Sequence, residues 1–332
     1  MIKRWKRGKH LARQTDFKFQ ILNLNIFCNW FLIFICALFF VLWNFYGCQS
    51  KNSDINPKYL KITDDLGRDV VLDKKPSRII SLAPNITEIL FALDSGKTLA
   101  AVTDYCDYPE QAKTKPRIGG MINPNYEIIT ELNPDLIIMT VEGNNQNDFD
   151  KLEKLGYKIF VTRPKNIEGI LKSVTDIGKI IEVDERSAAL VNQLHERQAA
   201  ILQSVRNTSP PKVFIIISLQ PLISAAEGTF IDEMINLLGG INIAAESVVQ
   251  YPIINREAVL KQNPDVVIAM DDAVKNKDEM LKYFPEWKKL KAFKHDKVFV
   301  VDGDLLSRPG PRIIDGLEVL AGLVNESRKV FK

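Results

Sequence analysis

One segment of this chain occurs twice. Residues 127–138 read E-I-I-T-E-L-N-P-D-L-I-I and residues 257–268 read E-A-V-L-K-Q-N-P-D-V-V-I, offset by 130 positions. Each copy has a Glu opening a short helix, an Asn-Pro-Asp stop and an apolar run that reads as a buried strand. Proline cannot continue a helix and biases the preceding residue toward extended geometry, so Asn133-Pro134 and Asn263-Pro264 end their helices. A period this long is no solenoid repeat. It constrains the chain to two lobes of similar build.

The surroundings of each copy say what the lobes are made of. Residues 78–83 (RIISLA), 99–103 (LAAVT), 135–140 (DLIIMT) and 157–162 (YKIFVT) are short β-rich runs, separated by helical stretches such as 85–93 and 147–155. The pattern returns at 212–218 (KVFIIIS), 229–238 (TFIDEMINLL), 264–270 (PDVVIAM) and 297–302 (KVFVVD). Strands alternating with helices predict an α/β fold of two Rossmann-like lobes with mostly parallel sheets.

Between them, Ile167, Ile170, Leu171, Val174, Ile177 and Ile181 recur at helical spacing. Asp184 then reads as the N-cap of a second helix running through Val205, with Leu190, Val191, Leu194, Ile201 and Leu202 on its apolar stripe. Such a helix spans roughly 33 Å, enough to brace two lobes and to limit their hinge motion to a modest closure. Asn207-Thr208-Ser209-Pro210-Pro211 ends it. The expected division is 60–166 for the first lobe, 167–207 for the connection and 208–332 for the second lobe.

Charge separates the first fifty residues from the rest. Residues 1–48 hold seven Lys and Arg against one Asp, while the whole chain of 332 residues carries only +3. The remainder is mildly acidic, which gives no electrostatic case for nucleic acid. After the basic head, an apolar run from Phe31 to Trp43 leads to Gly47-Cys48. A cationic start, a hydrophobic stretch and a small residue before a cleavage point read as an export signal. The Gly47-Cys48 step resembles a bacterial lipoprotein signal with Cys48 as the lipidated residue, although Phe45 and Tyr46 stand where small aliphatic residues are usual. The alternative is an uncleaved anchor over residues 26–46. Both place the body outside the cytoplasm, tethered to the membrane or periplasmic, with residues 49–59 as a flexible tether. Cys28 and Cys36 lie within residues 26–46 and Cys48 is the lipidation position, so Cys106 is left without a disulfide partner and reads as an inert small residue.

Several segments in order carry a resemblance: Arg78 to Asn85 with Thr87-Glu88, Val102-Thr103-Asp104-Tyr105 to Tyr108-Pro109, Arg117-Ile118-Gly119-Gly120, the two Glu…Asn-Pro-Asp units, and Asp304, Arg308, Pro311 and Arg312. Over about residues 60–328 the chain resembles the substrate-binding proteins of ABC importers for vitamin B12, haem and iron–siderophores, with the vitamin B12 binders looking nearest. The resemblance implies a two-lobed receptor that is not an enzyme, needs no cofactor, acts as a monomer and delivers a small-molecule ligand to an ABC permease and its ATPase. It also implies a cleft ligand, a corrinoid such as cobalamin ahead of an iron–siderophore or haem. An exported α/β enzyme or a surface sensor on the same architecture are the competing classes.

Residue by residue, the resemblance assigns Glu127 and Glu257 to docking on permease arginines, one per lobe. Their alternative is that of first-turn acids at positive helix ends. Tyr105 and Tyr251 match ligand-facing aromatics on opposite cleft walls, where flat faces suit a large macrocycle. Core packing and loop anchoring are their alternatives. Asp304 and Arg308 match a cleft loop that hydrogen-bonds the ligand rim, or else form a local ion pair. Gly119-Gly120-Met121 stands where the vitamin B12 binder carries a Trp.

Other signals fall away. Ser95-Gly96-Lys97-Thr98 looks like half a phosphate loop, but Phe91 occupies the required first Gly position. His10, His195 and His295 are too scattered for a zinc site or a catalytic triad, and His195 reads as a solvated helix residue. The Asn85-Ile86-Thr87 sequon lies at a helix start.

Overall fold

The computed structural model describes residues 60–205 and 209–328, so the export signal, Cys48 and the 49–59 tether lie outside the described residues. Two antiparallel strands come first, β1 (Leu60–Thr63) and β2 (Asp69–Leu72). The first lobe is then built on β3 (Ile79–Ser81), β4 (Leu99–Val102), β5 (Leu136–Thr140) and β6 (Ile159–Thr162), in the order β4-β3-β5-β6. All its pairings are parallel. Its helices are α1 (Pro84–Ala92), α2 (Tyr126–Leu132) and α3 (Gln146–Lys154).

Side-chain alternation explains why these runs are apolar throughout. Leu136, Ile138 and Phe160 point to one face of the sheet with Ile86 and Leu90 of α1. Ile137, Met139, Ile159 and Val161 point to the other, with Ile129 of α2 and Leu152 of α3. A parallel sheet covered on both faces loses the polar half of the usual strand pattern.

Next come α4 (Ile167–Ile180) and α5 (Asp184–Ser204). The second lobe contains β7 (Lys212–Ile216), the short antiparallel pair β8 (Ser218–Leu219) and β9 (Leu222–Ile223), β10 (Ile241–Asn242), β11 (Val266–Met270) and β12 (Val298–Val301). Its main sheet has the order β10-β7-β11-β12, again all parallel. The helices are α6 (Phe230–Leu237), α7 (Arg256–Gln262), α8 (Lys277–Tyr283), α9 (Lys291–Lys294), α10 (Asp304–Ser307) and α11 (Ile313–Arg328). The two sheets therefore share one strand order, and the duplication seen in the sequence is a duplication of topology.

The repeated segment is the same device in both places. Asn125 caps α2 by accepting from the amides of Glu127 and Ile128, and Asn255 caps α7 by accepting from that of Glu257. Asn133 and Asn263 end the helices at φ 44° and 48°, a left-handed conformation that Asn tolerates better than most residues. Asp135 and Asp265 then accept from the amides of Arg78 and Lys212, fastening the neighbouring strand. Each Glu is the second helical residue rather than the first, because the Asn two positions earlier is the cap.

α4 and α5 join the lobes through burial. Val174, Ile177 and Ile180 belong to the first lobe's core, and Ile170, Leu194 and Ile201 to the second's. Leu190 and Val191, midway along the connection, pack against both. α5 has 21 residues and a length of about 31 Å. Asp184 is not its N-cap. Val183 holds that position without a side-chain bond, because its apolar side chain is drawn onto the first lobe's core. Asp184 falls in the first turn, where an acid still suits the positive helix end.

Candidate functional site in the inter-lobe cleft

In open parallel sheets, ligands bind beyond the carboxyl ends of the strands, at the point where the strand order reverses. Here that point lies between β3 and β5, and a built turn stands there. Asn144 accepts from the Thr140 amide at 2.9 Å, and its side-chain amide donates to the carbonyls of Leu82 at 2.9 Å and Met121 at 2.8 Å. Those bonds tie three loops together and hold Glu142 at the tip of the turn. At Gly143 a Cβ would fall 2.0 Å from the Met121 methyl, so the Met121 tip packs against the turn where any larger residue would push it aside.

Two cavities meet at this turn. The smaller, of about 240 Å³, is lined by Asn85, Tyr105, Met121 and Glu142 of the first lobe and Asp304 and Arg308 of the second. The larger, of about 800 Å³, lies between Glu142, Arg163 and Lys165 on one side and Phe230, Glu233 and Tyr251 on the other. The larger volume is of the order that suits a small organic ligand. Tyr105, Asp304 and Arg308 thus come together at one cavity, while Tyr251 stands at the neighbouring one.

Tyr105 is 59% exposed and Tyr251 46%, so neither is core packing. The loop carrying Tyr105 is fixed beneath the ring. Arg117 donates to the carbonyls of Thr103 at 2.6 Å and Cys106 at 2.9 Å, and the buried Cys106 thiol touches the hydroxyls of Thr87 and Thr103. Gly120 lies beside the ring edge. Tyr251 is presented by a loop laid along residues 222–228, with the Ala226 amide donating to the Gln250 carbonyl at 2.8 Å and the Ser224 amide to that of Pro252 at 3.1 Å. Its hydroxyl is pushed above the ordinary range by burial and by the Glu142 charge.

The ion pair of Asp304 and Arg308 exists, at 2.7 Å, but Arg308 does more. It also reaches Asp107 at 2.7 Å and Glu88 at 3.3 Å, both in the first lobe. Arg312 adds a two-pronged pair to Glu88 and lies over the Tyr108 ring at 3.9 Å. Three acids surround the Arg308 guanidinium, leaving it little charge for a ligand. Burial pushes the Asp304 carboxyl up, against the pull of Arg308. Burial works the same way on Asp107, yet the Arg308 bond prevails and holds that carboxyl below its ordinary value. Burial likewise pushes Glu142 up, opposed by the Thr140 hydroxyl at 3.0 Å and by Arg163.

Glu127 and Glu257 are both exposed. Glu257 pairs with Arg256 at 3.2 Å, and its own helix-end amide together with that arginine lowers its carboxyl. His195 is exposed, 3.7 Å from Glu168. Sequence reasoning passed over Glu142 and Asn144. The signal was available in the 130-residue offset, which pairs Glu142 with Asp272 at the end of the matching strand.

Two parallel-sheet lobes, a connection of two helices and a cleft at the strand ends define the architecture of a solute receptor. The chain belongs to the periplasmic binding protein family, whose model matches residues 79–305. It is 32% identical over 252 residues to a vitamin B12-binding protein of Vibrio cholerae, covering 76% of this chain and 90% of that one. The crystal structure of the periplasmic vitamin B12-binding protein of Vibrio cholerae superimposes with a TM-score of 0.69, at 32% identity, over 77% of this chain and 99% of that one. A periplasmic haem-binding protein from Roseiflexus gives a TM-score of 0.69 at 26% identity, over 76% and 98% of the respective chains. An ABC transporter substrate-binding lipoprotein of Bacillus subtilis is 31% identical over 268 residues, 78% of this chain and 83% of that one. Family membership implies that the body works outside the cytoplasm, and proteins of this class bind small ligands for an ABC importer.

Proposed function

We propose that this chain captures a corrinoid such as cobalamin in the inter-lobe cleft and hands it to an ABC permease, acting as a receptor and not as an enzyme. The observation that carries the cargo reading is the cleft itself, with two exposed tyrosines at its adjoining cavities and its inner arginine already neutralised. A flat, amide-rimmed macrocycle gains area on aromatic faces, and it needs no free cation. Haem and carboxylate siderophores carry carboxylates that favour one, and in the smaller cavity Arg308 is already paired three ways. The similarity to vitamin B12-binding proteins supports the same choice.

The proposal extends to the ends of the molecule. Residues 60–166 and 208–332 serve as the two lobes and 167–207 as their connection. Lipidation at Cys48 tethers the receptor to the outer face of the membrane, in keeping with the lipoprotein relative. Glu127 and Glu257, at equivalent places in the duplication, dock on basic residues of the permease, where paired charges set register and encounter rate.

Isothermal calorimetry with cyanocobalamin tests the cargo. One-to-one saturable binding is expected, weakened about tenfold by Tyr105→Ala or Tyr251→Ala as aromatic contact is lost. Saturable binding of haemin or a ferric siderophore with none of cobalamin would replace the cargo and keep the class.

A further inference from the structure

The geometry points to Glu142 as the residue that selects cargo by its rim chemistry, admitting a macrocycle that offers neutral N–H donors and rejecting one that offers carboxylates. This inference rests on the corrinoid reading and deepens it.

Among the described residues, Glu142 alone lines both cavities, so a ligand filling either one meets it. Its placement is set in advance. Asn144 fixes the turn through three hydrogen bonds, and Gly143 lets Met121 close against it. A site shaped before the ligand arrives spends little of the binding energy on ordering. The carboxylate receives hydrogen bonds from the Thr140 hydroxyl, to Oε2, and from its own backbone amide, and an ionised carboxylate can accept about four. The remaining acceptor capacity faces the cleft, where a primary amide of a ligand can donate into it.

The surrounding charges decide what a ligand carboxylate would meet. In the smaller cavity the one guanidinium, Arg308, is taken by Asp304, Asp107 and Glu88. In the larger, Asp232 is bonded to Asn236 and Asn242 and Glu233 to the Ile167 amide, and the nearby Arg163 acts on Glu142, whose carboxyl it helps to lower against burial. Glu142 is the charge that both spaces have in common, and a ligand carboxylate beside it is repelled. Selection of this kind works by penalising the wrong ligand more than by improving the right one.

Calorimetry on the full chain tests this with three probes: cyanocobalamin, a corrinoid whose side-chain amides have been hydrolysed to carboxylates, and haemin. Wild-type protein should prefer the amide corrinoid over the carboxylate corrinoid by about a hundredfold, since like charges in a cleft are strongly disfavoured. Glu142→Gln should cut that ratio to about tenfold or less, and Glu142→Lys should invert it, with circular dichroism confirming the fold of both. If wild type prefers cobalamin and neither variant lowers the ratio, the inference falls and the corrinoid reading stands. If wild type prefers either carboxylate probe, or binds no corrinoid, both fall.

Discussion

Glu88 of the first lobe and Arg312 of the second form a two-pronged ion pair. Arg312 Nε lies 3.0 Å from Glu88 Oε2, and its Nη2 lies 2.7 Å from Oε1. The Glu88 side chain is 2% exposed and that of Arg312 13%. Their positions are 224 residues apart, so nothing local prescribes the contact. Arg308, which lines the smaller cavity, reaches the same carboxylate, so both arginines tie the second lobe to the first through Glu88.

Removing Glu88 strands the Arg312 charge inside the protein, whereas removing Arg312 leaves Glu88 with Arg308 alone. Glu88→Gln should lower stability by about 3–5 kcal/mol, the usual cost of breaking a buried pair from one side, and Arg312→Ala by less, since Arg308 remains on Glu88. The Glu88→Met/Arg312→Met double variant should lose less than the two single losses combined. Urea denaturation followed by circular dichroism checks this, and additive losses would show that the two side chains do not act together.

Acid should act through Asp135. Burial opposes its ionisation, but bonds from the Ser77 amide, the Ser77 hydroxyl and the Arg78 amide, with Lys74 nearby, hold its carboxyl at about 2 against an ordinary 3.8. A carboxyl lowered by folding stabilises the protein above its unfolded value and loses that contribution as the pH falls through the folded one. The stabilisation is therefore full above about pH 4 and lost toward pH 2, and amounts to about 2 kcal/mol. Asp135→Asn should lower stability at neutral pH and flatten the acid limb between those values. Urea midpoints measured from pH 2 to 6 give the comparison.

The α/β alternation and the two sheets were legible because strands buried on both faces are apolar without interruption, as Leu136–Met139 and Val266–Met270 are. The β1–β2 pair was not. Its strands are four residues long, β1 alternating between partly buried and exposed positions and β2 burying only Val70 and Leu72, so the pair resembles ordinary surface chain. Tyr105, Tyr251, Asp304 and Arg308 were found through resemblance to a family, and the structure brings them to two adjoining cavities. What Arg308 does there depends on Asp107, 201 residues away, and no local pattern reports such a partner. Glu142 was missed because Val141-Glu142-Gly143-Asn144 reads as a polar turn, and its role comes from three loops that Asn144 gathers.

Docking makes a separate expectation. Glu127→Lys and Glu257→Lys together should abolish uptake in cells while leaving cobalamin affinity within about twofold, since interface charges act on the encounter with the partner. Each single reversal should give a partial loss. Uptake of labelled cobalamin beside calorimetry on the purified chain reads both quantities. A fall in affinity would place these residues at the cargo instead.

Hydrogen exchange with and without cyanocobalamin, followed by mass spectrometry, addresses the cleft most directly. Slower exchange is expected at residues 103–106, 141–144, 250–254 and 304–309, with no change in α2 or α7. Protection confined to the separate groove beside Phe91, Lys97 and Leu194, or no protection at saturating ligand, would contradict it.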